Sequence, residues 1–148
     1  MNAGWVVDAS VAVKPYLRED LAETAKRLLR TAYSRATPLF VPDLFYSECA
    51  NIFLKHVRRS ALSSDHARRS LDNLKSLPLR PFSGARFLAL ALDRSFELAL
   101  RYELSAYDAA YVTTAQVLEV PLVTADEKLI RKLAGSSVEI CFLGDLPL

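Results

Sequence analysis

The sequence contains few of the residues on which several large classes of protein depend. It has only four glycines and two cysteines. No glycine-rich segment leads into Lys-Ser or Lys-Thr, which excludes the phosphate-binding loop of the P-loop ATPases. Cys49 and Cys141 lie in separate apolar segments, without a CxxC or Cys/His ligand spacing. We therefore expect reduced core cysteines in a cytoplasmic protein, not a disulfide or zinc scaffold.

Long apolar runs are also missing. The longest, from Phe87 to Leu92, is far shorter than the roughly 20 residues that span a bilayer, so we expect no membrane association. Charged residues between Asp8 and Asp20 interrupt the N-terminal segment, and we expect no signal peptide there. A hydrophobic content of 51% over 148 residues predicts a single domain, residues 1–148, with a full core.

The net charge of +2 carries little information, but its distribution is uneven. Between residues 55 and 80 only Asp65 and Asp72 oppose a set of basic residues, which are Lys55, Arg58, Arg59, Arg68, Arg69, Lys75 and Arg80. Such a region suits a phosphate backbone. A solvated helical face explains it equally well at this point.

Short apolar runs alternate with helical patterns along the whole chain. The runs predict strands near residues 5–7, 39–41, 120–123 and 138–142, with a weak edge strand at Leu79-Arg80. Strands separated by helices predict an α/β protein with a central parallel sheet and helices on both faces. In that architecture ligands bind at the carboxyl ends of the strands.

Four carboxylates are candidates for that edge of the sheet. Asp8 and Asp126 directly follow predicted strands, and Glu48 lies in the second turn of the helix after another. Asp108 follows Ser105 by three residues, the spacing of a helix start. Capping is the ordinary explanation for a lone Asp in a first turn. It does not explain Glu48, which lies too deep in its helix and beside an apolar stripe.

Carboxylates that crowd together need a counter-charge, which a hard divalent cation supplies. Mg²⁺ prefers oxygen ligands, and Mn²⁺ has similar preferences. Either ion suits phosphodiester hydrolysis. Ser10 and Thr124 lie close enough in sequence to orient a carboxylate or bond a metal-bound water. Helix capping is the alternative for both residues, and for Thr124 it is the favoured interpretation.

Four segments together resemble the PIN-domain nucleases, especially the toxins of VapBC-type toxin–antitoxin pairs. They are VVDASVAVK at the N-terminus, PDLFYSECANIF around Glu48, SAYDAAYVTTA around Asp108 and PLVTADEKL around Asp126. Their order and separations fit, and the resemblance covers essentially the whole chain. One departure is Pro15, where these toxins often carry a bulky aromatic residue.

The resemblance implies a three-layer α/β/α sandwich and an endoribonuclease that depends on Mg²⁺ or Mn²⁺. It implies that Asp8, Glu48, Asp108 and Asp126 form the catalytic, metal-binding centre, supported by Ser10 and Thr124. It also implies an RNA substrate, a small antitoxin partner and a homodimer. A non-catalytic RNA-binding protein of the same fold and a housekeeping RNA-processing nuclease remain alternatives.

Two expectations concern surfaces. Residues 43–77 are expected to form a helical hairpin whose arginines, Arg58, Arg59, Arg68 and Arg69, hold RNA. Some large apolar residues of this hairpin should remain exposed as a docking strip for the antitoxin; the candidates are Leu44, Phe45, Phe53, Leu54 and Val57. A helix from about Gly84 to Glu103 is apolar on most sides, which favours burial on more than one side.

Overall fold

The computed structural model describes residues 4–147. The strands are β1 (Trp5–Val7), β2 (Leu39–Pro42), β3 (Arg80–Phe82), β4 (Leu122–Thr124) and β5 (Ile140–Phe142). The helices are α1 (Ala9–Ala12), α2 (Lys14–Leu17), α3 (Ala22–Arg30), α4 (Leu44–Arg58), α5 (Ser64–Ser76), α6 (Gly84–Leu90), α7 (Leu92–Tyr102), α8 (Ala106–Leu118) and α9 (Glu127–Leu133). Two 3₁₀ turns, Thr31–Tyr33 and Leu143–Asp145, follow α3 and β5.

All five strands are parallel and stand in the order β3-β2-β1-β4-β5. The chain moves from β1 outward to β3, then crosses to the other side of β1 to form β4 and β5. Right-handed crossovers place α1–α5 on one face of the sheet and α6–α9 on the other. The predicted three-layer α/β/α sandwich is therefore confirmed.

Local sequence signals set several of the helix ends. Ser63 caps α5 by accepting a hydrogen bond from the His66 backbone N–H at 3.1 Å, and Ser105 caps α8 through Asp108 N–H at 3.0 Å. Pro15 stands in the first turn of α2, and the first helical segment breaks at Val13, because a proline is tolerated only at the start of a helix. β3 contains Pro81 and lies at the sheet edge, where a missing N–H is tolerated.

The core lies on both faces of the sheet. The strand residues Val6, Val7, Leu39, Leu122 and Val123 are fully buried. Cys49 is a buried free thiol and Cys141 a half-buried one. No helix within residues 4–147 is both long enough and apolar enough to cross a membrane.

The prediction of one helix from Gly84 to Glu103, buried on more than one side, is wrong. The helix breaks at Ala91, whose φ of −132° is not helical. Ser95 is the buried residue of α7, and α6 has none. A row of side chains at four-residue spacing is instead 44–68% exposed. This α6–α7 ridge consists of Leu88, Leu92, Phe96 and Leu100.

The expected helical hairpin is present as α4 and α5, which pack against each other. Its expected apolar strip is mostly absent, because Phe45 and Phe53 are buried in the core. Leu54 is exposed, and Leu44 and Val57 are half-buried. The hairpin packs these large side chains toward α1 and the sheet. The α6–α7 ridge exposes more large apolar side chains than the hairpin does.

Candidate active site

Asp8 lies where the strand order reverses, between β1 and β4. The register pairs Val7 with Val123, and the Asp8 N–H donates to the Val123 carbonyl at 3.1 Å. The carboxylate thus emerges at the carboxyl end of the central strand, which is the usual ligand site of an open α/β sheet. Asp8 is only 6% exposed.

Two hydroxyl groups hold Asp8, one from the first turn of α1 and one from the end of β4. Ser10 Oγ and Thr124 Oγ1 each donate to Asp8 Oδ2 at 2.7 Å. Each hydroxyl is oriented in turn, because the Ala125 N–H donates to Ser10 Oγ and the Asp126 N–H donates to Thr124 Oγ1, both at 3.0 Å. Both side-chain bonds use the same oxygen, and no described side chain donates to Oδ1. Both hydroxyl groups thus orient the Asp8 carboxylate, and a supporting role of Ser10 and Thr124 in catalysis stays a prediction.

The preference for Thr124 as a helix cap is wrong. Asp126 caps α9, since its Oδ1 accepts from the backbone N–H groups of Lys128 at 2.9 Å and Leu129 at 3.2 Å. Thr124 is fully buried at the end of β4, and its side chain faces Asp8 instead. Sequence spacing alone could not show whether Thr124 or Asp126 caps α9, because both residues lie near the start of that helix.

Glu48 lies in the second turn of α4, as predicted. Its Oε1 is buried and accepts no hydrogen bond from the described residues. Burial, followed by the negative charges of Asp8 and Asp108, raises the pKa of Glu48 from 4.5 to about 7. An unpaired buried carboxylate oxygen is costly. Capping and ordinary surface solvation therefore do not account for this side chain.

Asp108, in the first turn of α8, interacts electrostatically with the same group of acids. Its charge raises the pKa of both Asp8 and Glu48, after the larger effect of burial in each. Burial likewise raises the pKa of Asp108, and the charge of Asp126 raises it further. A hydrogen bond with Ser105 and the charges of Lys132 and Lys128 lower it. Asp108 is thus influenced both by a neighbouring acid and by the basic side chains of α9.

The donor chemistry of this site fits a hard divalent cation. Glu48 keeps a buried oxygen without a donor, and Asp8, Glu48 and Asp108 are harder to ionise because they are buried together. A cation would compensate both effects. Within residues 4–147, no three carboxylate, imidazole or thiol groups are already close enough to share one ion.

Two residues near the acids were not predicted from the sequence. Lys132 Nζ donates to the Glu103 carbonyl at 2.6 Å, which ties α9 to the turn before Asp108. Tyr111, three residues after Asp108 on α8, is 1% exposed, and its hydroxyl group lies by the Ala9 backbone N–H. The spacing of three from Asp108 was the available signal, but it equally fits an ordinary core tyrosine.

The predicted RNA-binding arginines lie on the α4–α5 hairpin and are all exposed; they are Arg58, Arg59, Arg68 and Arg69. Arg68 pairs with Asp65 at 2.8 Å. Their exposure leaves the predicted role open.

A separate cavity of about 460 Å³ lies between α7 and α8 near Val120 and Glu139, at the opposite ends of the strands from the acids.

Fold and site together define a class: a parallel α/β domain with acidic side chains gathered at its topological switch point. Residues 5–135 match the family described as the PIN domain. The chain is 37% identical over 131 residues to a protein named Ribonuclease VapC3 from Pyrobaculum aerophilum, covering 86% of this chain and 92% of that one. This protein therefore belongs to the PIN-domain family and to its VapC-like ribonuclease branch.

Solved structures share the fold at lower identity. The crystal structure of PAE2754 from Pyrobaculum aerophilum superposes with a TM-score of 0.68 at 23% identity, covering 96% of this chain and 85% of that one. A toxin–antitoxin complex from Klebsiella pneumoniae contains a chain with a TM-score of 0.63 at 18% identity, covering 95% and 98%. These likenesses confirm the PIN-like architecture.

Proposed function

We propose that this protein is a divalent-metal-dependent endoribonuclease that hydrolyses RNA phosphodiester bonds. The observation that carries the proposal is the group of mutually interacting acids at the switch point, with one buried oxygen of Glu48 lacking any donor. The name of the relative from Pyrobaculum aerophilum, a ribonuclease, supports RNA as the substrate.

The carboxylates Asp8, Glu48, Asp108 and Asp126 would hold Mg²⁺ or Mn²⁺. When bound, the ion polarises a phosphoryl oxygen and lowers the pKa of a bound water. Ser10 and Thr124 keep Asp8 Oδ2 occupied and thereby fix the carboxylate plane. Lys132 ties the turn before Asp108 to α9 through its hydrogen bond to the Glu103 carbonyl.

Metal removal tests this proposal. We expect a structured RNA pool to be cut in Mg²⁺ or Mn²⁺, to remain intact in EDTA, and to be cut again when the metal is restored. The cut ends should map to internal positions. Full cutting in metal-free buffer would refute the proposed chemistry. RNA binding without any cutting would favour the non-catalytic alternative.

We further propose that the protein is the toxin of a toxin–antitoxin pair and acts in the cytoplasm. The fold shared with a chain of a toxin–antitoxin complex supports this role. A basic side chain of a small antitoxin would pair well with the exposed rim of the acid group. Expression alone should arrest growth of a host cell, and co-expression of the neighbouring small open reading frame should relieve the arrest. Harmless overexpression of an active enzyme would favour a housekeeping RNA-processing nuclease.

The proposed homodimer has a suitable surface in the α6–α7 ridge. Leu92, Phe96 and Leu100 form one exposed row on α7, with the exposed Leu88 of α6 before them. Such a ridge can pack against its own copy across a two-fold axis. An exposed apolar surface of this kind commonly marks an interaction site, and a second copy of the chain is the occupant that we propose.

The oligomeric state of a ridge variant tests this assignment. Phe96→Glu should convert a dimer to a monomer in light scattering, because it places a charge in the centre of the ridge. Tyr33→Glu is the matched control, since Tyr33 is an exposed aromatic residue at 67% on a different element. An unchanged dimer in Phe96→Glu would move the interface elsewhere.

A further inference from the structure

A small cavity lies at the amino ends of β2 and β3, at the opposite end of the strands from the acids. It has a volume of about 290 Å³ and lies between the 3₁₀ turn after α3 and the segment that leads from α5 into β3. Its lining residues are Ala32, Tyr33, Ser34, Arg35, Pro78 and Arg80. Two of these side chains are cationic and none is acidic, so the cavity is opposite in charge to the acid site.

The two arginines of the cavity are held in place but are not neutralised. Arg80 pairs in register with Phe40 of β2, and its guanidinium carbon lies 5.9 Å from the centroid of the Phe40 ring. Arg35 lies in a loop that Ser34 shapes, because Ser34 Oγ accepts a hydrogen bond from the Ala36 N–H at 3.2 Å. In the described part of the chain neither arginine forms an ion pair with a carboxylate. Two uncompensated guanidinium groups beside one cavity attract an anion.

An aromatic side chain stands beside these charges. Tyr33 is 67% exposed at the end of the 3₁₀ turn, so its ring is accessible to a ligand. The turn itself is fixed, because the Ser34 N–H donates to the Thr31 carbonyl at 2.9 Å. Aromatic rings next to cationic side chains bind nucleotides, the ring by stacking on the base and the cations by attracting the phosphate group.

We propose that this cavity binds one nucleotide that ends in a phosphate monoester, with the base stacked on Tyr33 and the phosphate group held by Arg35 and Arg80. A phosphate monoester carries a charge of about −1.5 to −2 at pH 7, which two guanidinium groups match better than the single charge of an internal phosphodiester. The volume of about 290 Å³ is close to the lower end of the roughly 300–1,000 Å³ of small-molecule sites, which suits a single nucleotide. The ligand is either a free mononucleotide or the phosphorylated end of an RNA. The site does not depend on the proposed nuclease activity.

Binding of adenosine 5′-monophosphate in EDTA tests the site without a metal ion at the acids. Arg80→Gln should weaken binding about tenfold in calorimetry, because it removes a charge-assisted contact. Arg101→Gln is the matched control and should bind like the wild type. Arg101 is also exposed and its guanidinium carbon lies 5.3 Å from the centroid of the Tyr102 ring, but it belongs to α7. Equal weakening in both variants would overturn the proposal, because the loss would then follow net charge alone.

Two variants of Tyr33 test the contact with the base. Tyr33→Leu should weaken the binding of adenosine 5′-monophosphate about fivefold, whereas Tyr33→Phe keeps the ring and should bind like the wild type. Inorganic phosphate should bind the wild type much more weakly than the nucleotide does. Equal affinities of the two Tyr33 variants, or of phosphate and nucleotide, would contradict stacking on Tyr33.

Nuclear magnetic resonance locates the bound nucleotide. The backbone amide resonance of Ala36, whose N–H lies in the loop of Arg35, should move when adenosine 5′-monophosphate is added in EDTA. The amide resonance of Asp126, at the acid site, should not move. Movement of Asp126 without movement of Ala36 would place the nucleotide at the acids and overturn the proposed site.

A short single-stranded RNA with a 5′-phosphate, compared in EDTA with the same strand ending in a 5′-hydroxyl, distinguishes the two sources of the ligand. Tighter binding of the phosphorylated strand that disappears in Arg80→Gln would identify the end of an RNA. Binding of adenosine 5′-monophosphate without any difference between the strands would identify a free mononucleotide. Failure of both the nucleotide and the phosphorylated strand to bind would overturn the proposal. Neither result depends on RNA cutting, so a failure of the proposed nuclease activity would be seen separately.

Discussion

Replacing Glu48 with glutamine should stabilise the protein at alkaline pH when no metal is present. Burial and two neighbouring acids raise the pKa of Glu48 from 4.5 to about 7. The folded state thus binds the proton more tightly than the unfolded state does. Stability is then unaffected by this group below about pH 4.5 and falls as the pH rises from there through about 7. Glutamine resembles the protonated form and avoids that decrease.

The size of the effect follows from the shift. A change from 4.5 to about 7 corresponds to at most about 3 kcal/mol, at about 1.4 kcal/mol per pKa unit. Glu48 is only half-buried, and solvent screening reduces the contribution to about 1–2 kcal/mol. In a domain of this size each kcal/mol moves the melting temperature by about 2–4 °C. We expect Glu48→Gln to melt about 3–6 °C above the wild type at pH 8.

Thermal melts in EDTA at pH 5 and pH 8 provide the assay. The two proteins should melt nearly together at pH 5, and their melting temperatures should separate as the pH rises to 8. Glu97→Gln, at an exposed position of α7, is the matched control and should follow the wild type at both pH values. A lower melting temperature of Glu48→Gln at pH 8 would refute the reasoning, because Glu48 would then have a stabilising partner in the metal-free protein. Saturating Mg²⁺ should stabilise the wild type, as any ligand of the folded state does, and should stabilise Glu48→Gln much less.

Two further predictions concern the acid site and the hairpin. Asp8→Asn should abolish RNA cutting yet melt at or above the wild-type temperature in EDTA, because burial raises the pKa of Asp8 and the asparagine oxygen still accepts from Ser10 and Thr124; a clear drop in melting temperature would make Asp8 mainly structural. Changing the four hairpin arginines to glutamine should weaken RNA binding and flatten its salt dependence, by about one unit of slope for each phosphate group that the variant no longer neutralises. An equal number of exposed arginines elsewhere, changed in the same way, is the control; the set is Arg30, Arg35, Arg94 and Arg101. Equal affinity and slope in the hairpin variant would assign that face to solvent or to a protein partner.

Much of the fold was predictable because its signals are local. Apolar runs marked β1, β2, β4 and β5, and the proline pair around Leu79 marked an edge strand that forms one residue later as β3. Ser105 marked a helix start through its own hydroxyl group, which bonds the backbone three residues on. Periodicity also indicated the order of helices and strands, and that order implied a parallel sheet with its ligand site at the carboxyl ends.

The hydrophobic periodicity gave a wrong prediction where the burial of a helix face depends on what packs against it. The pattern from Gly84 to Glu103 has apolar residues on most sides, but it does not contain the information on what will cover them. Only the packing of α7 on α8 shows that the ridge from Leu88 to Leu100 faces outward. The opposite error occurred in the α4–α5 hairpin, where the core takes up Phe45 and Phe53.

By itself the sequence determined which acids follow strand ends, because strand and helix boundaries depend on neighbouring residues. Tertiary structure alone decided which groups act on those acids. The strand order β3-β2-β1-β4-β5 brings Thr124 beside Asp8, although 116 positions separate them along the chain. It also brings α8 over β1, which puts Asp108 and Tyr111 within range of Asp8 and Glu48. Such contacts depend on distances through space, and spacing along the chain carries no information about them until the sheet is assembled.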